Sequence, residues 1–180
     1  MAMTAVTVNE TAAARMRYAA ILRCLGQTLD GMLLKAVEVR THGDEFVVQA
    51  WKRGTSMMMD LEAHYTLEDV RKMDQVGRAK RKPFAGPPDL LSLSQILRNA
   101  GSYIDRARGR LLRVCWQDQS DRIQSVTLQW EPLHSIRAPG ESQFASIEEL
   151  CIHIYKQRKK IVLATERQAN RPFVSVGRPG

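Results

Sequence analysis

The sequence predicts an α+β protein in which one αββ(β)α unit occurs twice and closes into a pseudo-twofold body. Three observations carry that expectation: a run of residue matches at one offset, strand-like alternation after each helical stretch, and the same helix-start signature near the end of both halves. The predicted organisation is a first copy over residues 1–82, a Pro-rich linker over 83–91, a second copy over 92–164 and a tail over 165–180.

The matches begin with Ile21-Leu22-Arg23 against Ile96-Leu97-Arg98, 75 residues on. At that offset Gly26 meets Gly101, Leu29 meets Ile104, Asp30 meets Asp105 and Lys35 meets Arg110, while Val37 and Val39 fall on Leu112 and Val114. The second copy then carries four extra residues in a turn, after which Val47 matches Val126, Trp51 matches Trp130 and Met57 matches Ile136. A repeat of this length is a supersecondary unit that needs a neighbour to bury its apolar face. A unit of about 70 residues is marginal alone, which favours one body over two separate ones.

Each element follows in order. The first helix is expected over 10–32, with Ala14, Tyr18, Ile21, Leu22, Leu25 and Leu29 at three- and four-residue spacing. Its counterpart is expected from Ser92 to Arg106, with Leu93, Ile96, Leu97, Ala100 and Ile104 on one face. Gly26 and Gly101 stand inside these helices, where Gly costs about 1 kcal/mol relative to Ala. Close packing against another element offsets that cost.

Alternation of Val37 and Val39 with Glu38 and Arg40 reads as a half-buried strand, and Thr41-His42-Gly43-Asp44 turns it into Phe46–Lys52. In the second copy Leu112, Val114 and Trp116 alternate with Arg113, Cys115 and Gln117. Residues 118–122 then turn into 123–130, where Val126, Leu128 and Trp130 share a face. Third strands are expected over 55–61 and 133–138, and Trp51 and Trp130 on apolar faces. The closing helices open with Thr66-Leu67-Glu68-Asp69 and Ser146-Ile147-Glu148-Glu149, a hydroxyl followed three residues later by an acid, the pattern of reciprocal capping. Lys82-Pro83-Phe84-Ala85-Gly86-Pro87-Pro88 cannot continue a helix and reads as a linker.

The element order resembles that of the double-stranded RNA-binding domain in topology. That family places lysines at the start of its last helix. Here the acids of 66–69 and 146–149 stand in those positions and repel phosphate, so the resemblance implies no function for this chain.

Composition narrows the function classes. Hydrophobic residues at 44% and charged residues at 26% match a globular protein. No apolar run approaches the ~20 residues that cross a bilayer, and residues 1–10 lack a secretory signal's basic start and apolar core. Three widely spaced cysteines, Cys24, Cys115 and Cys151, do not make a disulfide framework, and the expected location is the reducing cytoplasm.

Residues that could carry chemistry are few. His42, His64, His134 and His153 form no metal-ligand spacing, and Cys151 and His153 lie two apart on a predicted helix, facing different ways. The sequence holds no nucleophile elbow and no phosphate-binding glycine loop, so no catalytic residue, metal or cofactor is expected. Asp30 and Asp105 could form a carboxylate pair across the pseudo-twofold axis, although an Asp at a helix end is more often solvated.

The basic clusters are the functional signal. The net charge is +8, spread as +3 over residues 1–82 and +5 over 83–180. Arg78, Lys80, Arg81 and Lys82 end the first copy, Lys156, Arg158, Lys159 and Lys160 end the second, and Arg106, Arg108 and Arg110, with Arg113 beyond them, form a third group. Clustered Lys and Arg contact phosphates, whereas the bland reading gives the first two clusters to the negative ends of helix dipoles. The expected function is therefore a non-enzymatic binding protein that engages nucleic acid through these clusters. The alternatives are a protein-interaction or oligomerisation module, and a small enzyme or ligand-binding protein with its pocket between the copies.

Overall fold

The structure, a computed structural model, describes residues 16–54, 59–79, 92–120, 123–133 and 138–157. It is an α+β fold: helices packed on a six-stranded antiparallel sheet. In chain order the elements are α1 (Tyr18–Gln27), β1 (Leu34–His42), β2 (Glu45–Lys52), β3 (Leu61–Thr66) and α2 (Leu67–Ala79). They are followed by α3 (Leu93–Ala107), β4 (Gly109–Ser120), β5 (Ile123–Pro132), β6 (Gly140–Phe144) and α4 (residues 147–157). The sheet order is β3-β2-β1-β4-β5-β6, so β1 and β4 join the halves at its centre, with Val39 opposite Val114.

One sheet face is apolar because the strands alternate. Val37, Val39, Val48, Ala50, Leu111, Val114, Trp116, Val126, Leu128 and Phe144 are buried in a core shared with Ile21, Leu22, Leu25 and Leu29 of the first half and Ile96, Leu97, Ala100 and Ile104 of α3. Val70 of α2 and Leu150 of α4 close that core at its flanks.

α1 and α3 pack against each other with almost no space between their backbones. A Cβ on Gly26 would stand 2.5 Å from the Ser94 Cα, and one on Gly101 would stand 2.4 Å from the Tyr18 carbonyl. Both glycines therefore let a neighbouring helix approach more closely than any side chain allows. The same approach supplies caps. Arg17, at the N-cap of α1, makes no side-chain cap, and the Asp105 carboxylate of α3 instead accepts the Tyr18 and Ala19 amides at 2.9 and 3.1 Å. Reciprocally, Asp30 accepts the Ser94 amide at 3.1 Å and its hydroxyl at 2.6 Å, beside the Ser92–Gln95 capping box of α3. Each acid thus sits at the positive end of the opposite helix.

Several expectations need correction. The third strands lie later than predicted, as Leu61–Thr66 rather than 55–61 and as Gly140–Phe144 rather than 133–138, because both are polar edge strands with weak apolar signals. Residues 55–58 and 134–137 lie outside the described residues, as do the linker 83–91 and the tail. Of the predicted first helix, residues 16 and 17 are not helical and α1 ends at Gln27.

Leu112 does not take the inward position. A register shift between Leu111 and Arg113 gives it to Leu111, which is fully buried. Trp51 and Trp130 are not equivalent either. Trp130 packs against the core beside Tyr103, whereas Trp51 follows buried Ala50 and turns to the opposite face. Val47, likewise, faces away from the core that holds Val126.

Candidate functional site

The two sheet faces differ sharply in polarity. On the face away from the helices, Glu38 lies only 3% exposed beneath Arg40 and Arg113, with an Arg113–Glu38 bond of 2.6 Å. Burial pushes the Glu38 carboxyl up, but the two guanidiniums more than offset this and hold it below the usual range. Arg113 in turn is held protonated by the Glu38 hydrogen bond. Cys115, directly across from Glu38, is pushed up by its burial, so its thiol stays protonated at neutral pH.

Glutamines extend the pattern outward. Gln49 donates to Glu62 at 2.7 Å, and Gln129 and Gln143 donate to Glu141 at 3.0 and 2.8 Å. These bonds hold Glu62 and Glu141 below the ordinary carboxylate range and keep them ionised. The partly exposed guanidiniums of Arg40 and Arg113 act on Glu62 and Glu141 in turn, so this face mixes both signs of charge.

The helix side is built differently in its two halves. α1 and α2 run in parallel, since Arg23 meets Asp74 and Gln27 meets Gly77. The Arg23 guanidinium reaches the Asp74 carboxylate in a largely buried ion pair, with the Cys24 thiol 3.9 Å from the same oxygen. That pair joins the two helices.

α3 and α4 also run in parallel, but among the described residues no acid crosses between them. Asn99 donates to the Cys151 sulfur at 3.3 Å, and Arg106 donates to the Ile154 carbonyl near the end of α4. Beside these contacts a groove of about 170 Å³ opens, lined by Asn99, Arg106, Cys151, Ile154 and Tyr155. Tyr155 is 68% exposed and Ile152, one turn earlier, 53%. Burial pushes the Cys151 thiol up, so it too stays protonated.

The predicted site residues distribute as follows. Lys80, Arg81, Lys82, Arg158, Lys159 and Lys160 lie outside the described residues, and Arg78 falls in the last turn of α2 with its side chain outside them. Arg106 is tied to α4, and Arg110 pairs with Glu131 at 2.8 Å. Arg108 caps α3 in a left-handed conformation and is exposed, as is Lys156. Asp30 and Asp105 do not face each other. They cap opposite ends of the α1/α3 pair, and burial raises the Asp105 carboxyl against the pull of the Ala19 and Tyr18 amides. The carboxylate-pair expectation fails because each acid already serves a helix start.

Cys151 and His153 diverge, Cys151 toward Asn99 and His153 toward the rings of Tyr103 and Phe144. Among the described residues no group of His, Cys, Asp or Glu side chains gathers as a metal site, and no helix is long and apolar enough to cross a membrane. His134 lies outside the described residues. Sequence reasoning missed the Arg23–Asp74 pair and the Asn99–Cys151–Tyr155 groove. The one signal was the match of Arg23 with Arg98, and the partner of Arg23 lies 51 residues downstream. Comparison with known proteins finds no matching family model, no matching curated protein and no matching solved structure.

Proposed function

We propose that the chain is two copies of one αββ(β)α unit arranged about a pseudo-twofold axis, and that this body is a non-enzymatic binding protein for nucleic acid. Reciprocity between the halves supports the first part. Gly26 and Gly101 each meet the start of the other helix, Asp30 and Asp105 each cap it, and Val39 pairs with Val114; each of these pairs is 75 residues apart. Under this reading the axis passes between Val39 and Val114.

The observation that carries the second part is the placement of charge. Arg98, Arg108 and Lys156 are exposed along the α3/α4 flank and form no ion pair among the described residues. The opposite sheet face holds the ionised Glu62 and Glu141. Arg40 and Arg113 of that face stand beside these acids, whereas the helix-side cations have no such partner among the described residues. In sequence, Lys80-Arg81-Lys82 follows directly on α2 and Arg158-Lys159-Lys160 directly on α4.

A gel-shift titration at low salt tests the reading. The protein should shift DNA or RNA with Kd of about 10⁻⁴–10⁻⁶ M or tighter, with affinity falling log-linearly as salt rises. Neutralising Lys80, Arg81, Lys82, Lys156, Arg158, Lys159 and Lys160 together should abolish the shift. No shift by the unmodified protein at about 10⁻⁴ M would end the proposal. A protein-interaction role is the second reading, favoured by exposed Ile152 and Tyr155 on α4 and Val76 on α2.

A further inference from the structure

We propose that the groove between α3 and α4 seats a single-stranded nucleic acid, with Tyr155 as the platform for one unstacked base and the neighbouring cations on its phosphates. The inference rests on the nucleic-acid reading above and names which form of nucleic acid the site takes.

Shape gives the first argument. The groove has room for a single planar group and none for a duplex. Within a duplex both faces of each base are already stacked, so an exposed aromatic ring on a helix surface gains contact only with a strand whose bases are free. Tyr155 is such a ring, and its neighbour Ile152 widens the apolar platform.

Charge gives the second. Arg106 spends one donor on the Ile154 carbonyl, which fixes the guanidinium at the groove wall, and an arginine carries five N–H donors. Its remaining donors give the groove wall a cation, and Arg98 on α3 and Lys156 on α4 are exposed on the same two helices, outside the groove lining. Glu148 acts on the Cys151 thiol of the lining, so one acid stands near the start of α4, while Arg106 holds the groove further along, at Ile154. Aromatic platform and flanking cations together form the arrangement that binds single strands with little sequence preference. The groove between α1 and α2 lacks it, because Arg23 and Asp74 neutralise each other there.

The test is fluorescence anisotropy with a labelled RNA strand of about 15 nucleotides, single-stranded or annealed to its complement. The single strand should bind more tightly. Tyr155→Ala should weaken it about 5- to 100-fold, the share contributed by stacking on one ring, with Tyr155→Phe close to the parent. Both variants should leave duplex binding and the melting temperature unchanged. If the parent binds duplex at least as well and Tyr155→Ala changes nothing, the single-strand seat is overturned while the nucleic-acid reading stands. If the parent binds neither form, both fall. Self-association that Tyr155→Ala abolishes, with single-strand binding intact, overturns the seat in favour of a protein contact.

Discussion

The α1/α2 and α3/α4 pairs begin alike and finish differently. Each central helix carries an arginine at matching positions, Arg23 and Arg98, and each flanking helix anchors itself with one buried aliphatic residue, Val70 or Leu150. Four residues beyond Val70 stands Asp74; four beyond Leu150 stands Ile154. In the first pair the acid draws Arg23 inward and the two charges neutralise each other. In the second no acid among the described residues answers Arg98, which stays exposed, while Arg106 turns to the Ile154 carbonyl and lines a groove. One acid on the flanking helix thus separates a charge-neutral helix pair from a cationic one.

The largest consequence concerns stability. Removing one partner of a buried ion pair costs about 3–5 kcal/mol when the other charge is left uncompensated. Asp74 keeps further contacts, the Cys24 thiol among them, so Arg23→Ala should cost about 3 kcal/mol, the low end of that range. Arg98→Ala, an exposed substitution, should stay within about 0.5 kcal/mol of the parent. Urea unfolding of the two variants side by side measures the contrast. Equal losses would mean that the two arginines do the same job and that the halves do not differ as described.

A smaller effect should be shared by the halves. Gly26→Ala and Gly101→Ala each push a methyl group into the backbone of the opposite helix, and overpacking of this kind costs about 1–3 kcal/mol. The two losses should be similar, because the contacts are reciprocal. A large loss at one glycine and none at the other would break the correspondence between α1 and α3.

How far the sequence foretold this depends on the range of the interactions. The α3 start at Ser92, the hydroxyl–acid cap at Thr66–Asp69 and the alternation of β1 are local, and their patterns are plain in the chain. The Ser146 cap departs slightly: Glu149 accepts from the Ala145 amide, where the pattern implies Ser146. The phase of Trp51 was lost because the halves place their strand irregularities differently, between Leu34 and Ala36 in one and between Leu111 and Arg113 in the other. A one-residue slip sends every later side chain to the opposite face. The cross-helix caps and the Arg23–Asp74 pair span 51 to 87 residues, and no local periodicity reports contacts of that separation.

The most direct test of this neutral-versus-cationic contrast is a map of backbone amide chemical shifts during titration with a short single-stranded RNA. The account predicts perturbations concentrated on residues 98–106 and 151–157, saturating with one affinity and weakening as salt is raised. Residues 23–27 and 71–77 should stay in place, because the Arg23–Asp74 pair leaves no net charge between those helices. Perturbations centred on the α1/α2 pair, or on the Glu38–Arg113 face of the sheet, would contradict it.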